Sequence, residues 1–159
     1  MKAVGFRAEK DSITWAVVDD STDPHVVEAF DRIRAPDTYN EAERLALFRE
    51  RLKALIQQQS PSVAAIRYPE TVTRRSATSS DHMRLRIEGV ILEAAQSEGI
   101  NVMTGALRTI GARLGTKTAK TYLDRDDLRG MKYPRKSKIV KDAVIVAEAA
   151  LGVQHGTSR

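Results

Sequence analysis

Two short runs near the start of the chain, Ala3 to Arg7 and Ile13 to Asp19, are rich in apolar and β-forming residues, and the polar string Glu9-Lys10-Asp11-Ser12 separates them. That pattern predicts a strand, a turn and an antiparallel strand. The turn-rich Ser21-Thr22-Asp23-Pro24 and the run from His25 to Phe30 add a third strand, closed by Ala35-Pro36-Asp37. The period then changes. Asn40 followed by Glu43 has the form of a capping box, and Leu45, Phe48, Leu52, Leu55 and Ile56 recur at helical spacing as far as Gln59. Pro61 ends that helix, and Ser62 to Tyr68 has the continuous apolar character of a central strand. Ser79-Ser80-Asp81 is expected to cap a second helix, which carries Met83, Ile87, Val90, Ile91 and Ala94 on one side and ends near Gly99. Gly89, in mid-helix, lowers helix stability, so close packing against a neighbour is the expected compensation. Ile100 to Met103 predicts a fifth strand. A basic segment, irregular or helical, leads to a final helix from Lys138 to Leu151 with apolar cover from Ile139, Ala143, Val144, Val146, Ala147 and Ala150.

Three antiparallel strands followed by alternating helix and strand imply an α/β arrangement, a five-stranded mixed sheet flanked by helices. The chain reads as one domain, residues 1–152, with a frayed tail at 153–159. Its 159 residues, 42% hydrophobic and 30% charged, suffice for an apolar core. No apolar run approaches the roughly 20 residues needed to cross a bilayer, so no membrane partner is expected. Strand pattern begins directly after Met1 with no signal-peptide core, which makes a cytoplasmic location the expectation.

Chemistry is narrowed most by what is missing. With no cysteine there is no disulfide, no thiolate nucleophile and no Cys-based metal site. His25, His82 and His155 share no ligand spacing and read as ordinary surface or satisfied histidines. Any metal must therefore be a hard cation on carboxylates. Gly111 to Thr118 has one intervening residue too few for a phosphate-binding P-loop. The serines at 76, 79 and 80 lack a nucleophile-elbow pattern and are explained by cap and loop chemistry. Trp15, in a strand between apolar neighbours, reads as core.

Charge is unevenly placed. The net excess is +5, yet Asn101 to Lys141 holds eleven basic residues against Asp124, Asp126 and Asp127, so that segment is +8 and the remainder −3. A concentration of cations can hold phosphates, with binding that weakens as salt rises; a solubilising face or a contact for an acidic protein is the alternative.

Several strings, taken in order, resemble the RNase H-like superfamily and, within it, the RuvC-like Holliday-junction resolvases. Val4-Gly5-Phe6-Arg7 and Trp15-Ala16-Val17-Val18 are similar to the opening hairpin, Ala65-Ile66-Arg67 to the end of the fourth strand, and Leu85-Arg86-Ile87-Glu88-Gly89-Val90 to the glycine-bearing helix after it. Gly115-Thr116-Lys117-Thr118-Ala119-Lys120 is similar to the stretch before the last helix, and Asp142-Ala143-Val144-Ile145-Val146-Ala147 to that helix. The resemblance implies an RNase H-like fold and, in family nucleases, an Asp on the first strand, a Glu ending the fourth and acids on the final helix. Those carboxylates hold two Mg²⁺ ions for phosphodiester cleavage.

The matching positions here are Arg7, Arg67, Ile139 and Asp142. A guanidinium has no lone pair for a cation and stays protonated, so the resemblance implies a site without metal-dependent cleavage, with no cofactor and no bound metal. Two readings of Arg7 and Arg67 remain open: a bidentate pairing with Asp142 that cross-links sheet and helix, or a clamp for phosphate. The alternative is an active Mg²⁺-dependent nuclease with relocated acids. Glu9 would share the strand face of Arg7, whereas Glu70 would face away by alternation, and Glu148 lies about 240° around the helix from Asp142. Candidate nucleic-acid contacts are Arg74, Arg75, Arg113, Lys117, Lys120, Lys132, Arg135, Lys136 and Lys138, with Tyr133 placed to stack on a base. The expected role is binding DNA, RNA or a protein partner, as a homo-oligomer; a structural subunit of a larger assembly is the third reading.

Overall fold

Strand β1 (Lys2–Ala8) pairs with β2 (Ser12–Asp19) in antiparallel register, Phe6 opposite Trp15 and Arg7 opposite Thr14. The computed structural model, which describes residues 1–70 and 76–154, continues this meander through β3 (Val26–Arg34), with a register shift at Val17/Val18. On the other side β1 runs parallel to β4 (Val63–Arg67), which in turn runs parallel to β5 (Val102–Gly105). The result is a five-stranded mixed sheet in the order β3-β2-β1-β4-β5.

Alternation along the central strands supplies two cores. Val4, Phe6, Ala64 and Ile66 turn to one face, where α1 (Glu41–Gln59) contributes Phe48 and Leu52 and α2 (Ser79–Ser97) contributes Ile87 and Ile91. Ala3, Ala16 and Ala65 turn to the other face, under α5 (Lys138–Gln154). Small residues are required there. A Cβ on Gly5 would lie 2.0 Å from the Ala143 carbonyl oxygen and 2.8 Å from the Ala147 nitrogen, so glycine lets the helix backbone rest on β1.

Helix α5 is covered on its outer side as well, which explains why it is apolar almost all round. Its roof consists of α3 (Leu107–Arg113), the short α4 (Lys120–Leu123) and Leu128 and Met131 from the small hairpin β6 (Asp127–Leu128) and β7 (Met131–Lys132). Among the described residues no helix is long and apolar enough to cross a membrane.

Local chemistry explains where the boundaries fall. Asn40 accepts from the Glu43 backbone and Glu43 returns the bond, closing the expected capping box. For α2 the cap is Thr78, one residue before the serines, because Asp81 is the residue that completes the reciprocal pair. Strand β5, the fifth of the main sheet, lies two residues later than its apolar run suggests. The Ile100 amide still donates to the Ala95 carbonyl and so belongs to the end of α2, with Gly99 at φ 73 making the turn. Gly89 is a further correction: it is exposed, and among the described residues nothing lies within 4 Å of where its Cβ would be. Trp15 is half-buried, packed against the α1 side of the core rather than within it.

Candidate functional site

The parallel pairing of β1 and β4 sets Phe6 level with Ile66, so Arg7 and Arg67 emerge side by side near the strand ends on the α5 face, 60 residues apart in sequence. The second turn of α5 presents Asp142 to both. Its two carboxylate oxygens divide between them, Oδ1 3.3 Å from Arg67 Nε and Oδ2 3.5 Å from Arg7 Nε. A bidentate fork would give two aligned hydrogen bonds to one guanidinium; here one carboxylate bridges two arginines by charge. Arg7 Nε, Arg67 Nε and Nη1, and Asp142 Oδ1 are buried without a hydrogen-bond partner. Arg7 Nη1 donates to the Arg67 carbonyl at 3.3 Å.

Burial dominates the electrostatics. It pushes the Asp142 carboxyl above its ordinary range, against the opposing pull of Arg67 and Arg7. It likewise pulls Arg7 below the usual arginine value, against the Asp142 charge that supports it. On α2, Arg84 Nη1 lies 2.7 Å from Glu88 Oε1. Glu88 is 4% exposed, and its burial raises its carboxyl more than Arg84 lowers it. Glu88 and Arg84 are near enough for their charges to act on Arg7, so this α2 pair stands beside the site. Sequence reasoning missed Glu88 there; its signal was the i, i+4 spacing from Arg84.

Both relocated acids are accounted for. Glu9 lies in the hairpin turn beyond β1, accepts from the Ser12 hydroxyl and sits 3.7 Å from Arg32, away from Asp142. Glu70 does not face away: β4 ends at Arg67, so alternation no longer governs residue 70. Its Oε1 accepts from the Leu107 amide at 2.9 Å and stands 3.7 Å from Arg67 Nη2. Arg32 was also missed. It lies opposite Thr14, which lies opposite Arg7, and its Nε donates to the Thr14 hydroxyl at 3.2 Å, extending the cationic row toward the sheet edge.

The Mg²⁺ pair of family nucleases does not fit this cluster. The carboxylate that would have to ligate is shared between two cationic groups, and guanidinium nitrogens stand where further oxygens would be needed. Among the described residues no group of three or more His, Cys, Asp or Glu side chains converges as a metal site. Glu148 points elsewhere and pairs with His25 Nδ1 at 2.8 Å.

Of the basic candidates, Arg113, Lys117, Lys120, Lys132, Arg135 and Lys136 are exposed. Arg135 lies over the Phe30 ring, and exposed Lys138 stands 3.7 Å from Asp124. Arg74 and Arg75 lie outside the described residues. Tyr133 is not an open stacking platform. Its hydroxyl donates to the Tyr122 carbonyl, Lys141 Nζ sits 4.9 Å from its ring centre, and burial pushes its pKa well above the ordinary tyrosine range. Lys141 is an internal strut, donating to the Leu123 and Arg125 carbonyls.

Strand order and helix placement are those of an RNase H-like α/β fold. More particularly, the fold is that of RuvC: the chain superimposes on Thermus thermophilus RuvC with a TM-score of 0.77 and 18% identity, covering 99% of this chain and 98% of that one. The same protein in complex with a Holliday junction substrate gives 0.75 and 16%, over 99% and 97%. The yeast mitochondrial Holliday junction resolvase gives 0.64 and 9%, over 96% and 78%. No family model matches the sequence. No curated protein matches it either.

Proposed function

We propose that this chain is a RuvC-like domain that holds branched nucleic acid without cutting it by a metal-dependent route. The observation that carries the reading is the Arg7–Asp142–Arg67 cluster, which puts fixed cationic groups at the position where the RuvC-like resemblance implies divalent ions. Guanidiniums attract phosphate but cannot activate water as a bound metal does. Two further observations support it: the exposed cations between Arg113 and Lys138, and the fold shared with two proteins seen with junction DNA, T. thermophilus RuvC and the fowlpox virus resolvase at a TM-score of 0.53.

The test is a synthetic four-way junction incubated with the purified protein and Mg²⁺ or Mn²⁺. Retention that falls steeply with salt, with the strands intact, is the expected result. Robust cleavage that Asp142→Ala abolishes would overturn the proposal.

A further inference from the structure

We propose that the groove beside the cluster receives one phosphorylated nucleotide unit, and that the Glu70 carboxylate occupies the seat of its phosphate until the ligand displaces it. The choice of a nucleotide rests on the nucleic-acid reading above. The groove has a volume of about 670 Å³, within the range of small-ligand sites, and runs between the end of β4 and α2. Its walls combine apolar surface from Tyr68, Leu85 and Leu92 with Arg84 and three carboxylates, Glu70, Asp81 and Glu88. Glu88 is paired with Arg84 and Asp81 with Thr78 in the α2 cap, which leaves Glu70, at the Arg67 end, as the carboxylate whose place an oxyanion could take beside the apolar surface.

Glu70 stands between this groove and Arg67. It lines the groove, while Arg67, 6% exposed, lies behind it. The Glu70 side chain is 54% exposed, held by the single Leu107 amide and by charge at 3.7 Å from Arg67, too far for a hydrogen bond. Arg67 Nε and Nη1 meanwhile have no acceptor. Two non-bridging phosphate oxygens, presented together, match a planar guanidinium better than one carboxylate tethered at this angle. A weakly held surface carboxylate over an under-bonded buried arginine is therefore a replaceable stand-in.

Gly89 supplies an independent indication. A glycine inside a helix is unfavourable, no atom of the described residues uses the space its missing side chain leaves, and that space belongs to the groove. Its absence of a side chain keeps the groove open beside exposed Leu85, which is 53% accessible.

The experiment compares wild type, Glu70→Gln and Gly89→Leu, using thymidine 5′-monophosphate, thymidine and a short oligothymidylate as probes. Affinity is followed together with the NMR signals of the Leu107 amide and Arg67 Nε–H. Glutamine keeps the acceptor for Leu107 but removes the competing charge, so both phosphorylated probes are expected to bind severalfold more tightly, with both signals moving, while thymidine moves neither. Gly89→Leu is expected to raise thermal stability and weaken binding. If only the oligonucleotide responds, the ligand is a nucleotide within a strand; if the monophosphate responds equally, it is a free nucleotide. Unchanged or weaker binding in Glu70→Gln overturns the proposal. If junction retention persists with its salt dependence in that case, the nucleic-acid role stands and the groove assignment alone falls. If the junction is not retained but the monophosphate binds more tightly to Glu70→Gln, the reverse holds.

Discussion

Asp142 neutralises two guanidiniums that the strand ends would otherwise leave side by side, and it does so at 3.3 and 3.5 Å without a well-aligned hydrogen bond. Removing one member of a buried charge cluster leaves the others unpaired in a poor dielectric. Asp142→Ala is therefore expected to lower unfolding free energy by about 3–5 kcal/mol, read from the urea midpoint. Glu88 gives a pH prediction of definite sign. Its carboxyl titrates above the ordinary value of 4.5 because burial opposes its charge. Between that value and its raised folded pKa, the folded state binds more protons than the unfolded one, so its contribution to stability falls as pH rises. Glu88→Gln should flatten this decline just above pH 4.5, and a profile parallel to wild type would contradict the assignment. The cluster's main members were legible in the sequence, since Arg7, Arg67 and Asp142 stand inside strings with a recognisable order. Glu88 and Arg32 were not, because each joins the site through a helix face or a cross-strand register that no local pattern marks.

Helix α5 and strand β1 meet through Gly5, where an added methyl would fall inside the van der Waals shell of the Ala143 carbonyl. That contact is backbone and cannot rotate away. Gly5→Ala should therefore destabilise at or beyond the upper end of overpacking, about 3 kcal/mol, and displace Asp142 from the arginines; a melting temperature equal to wild type would show that the helix has slack. Long amphipathic elements such as α1 were readable because several turns repeat one period and a capping box marks the start. The seven-residue α3 and four-residue α4 were not readable as helices. So few turns cannot display a period, and these two are held by docking onto α5 rather than by their own propensity.

Across the molecule, the exposed cations lie on the roof over α5 and in the segment leading into it. Replacing Lys132, Arg135 and Lys136 together by glutamate should weaken junction retention at every sequence tested and lower the slope of log affinity against log salt, with thermal stability little changed because these side chains are exposed. An unchanged slope would move the phosphate contacts elsewhere. The sequence alone determined the order of the five sheet strands and of the three long helices, the concentration of positive charge and the presence of Arg7 and Arg67 near the ends of two central strands, because those properties reside in spacing and residue type within single elements. Only the tertiary structure decided that Glu70 turns back to Arg67, that the Tyr133 hydroxyl is tied to the Tyr122 carbonyl, and that the Arg84–Glu88 pair comes beside a cluster built from β1, β4 and α5. Such meetings depend on strand pairing and helix docking between segments far apart in the chain, and a side chain beyond the end of a strand is aimed by its neighbours rather than by alternation.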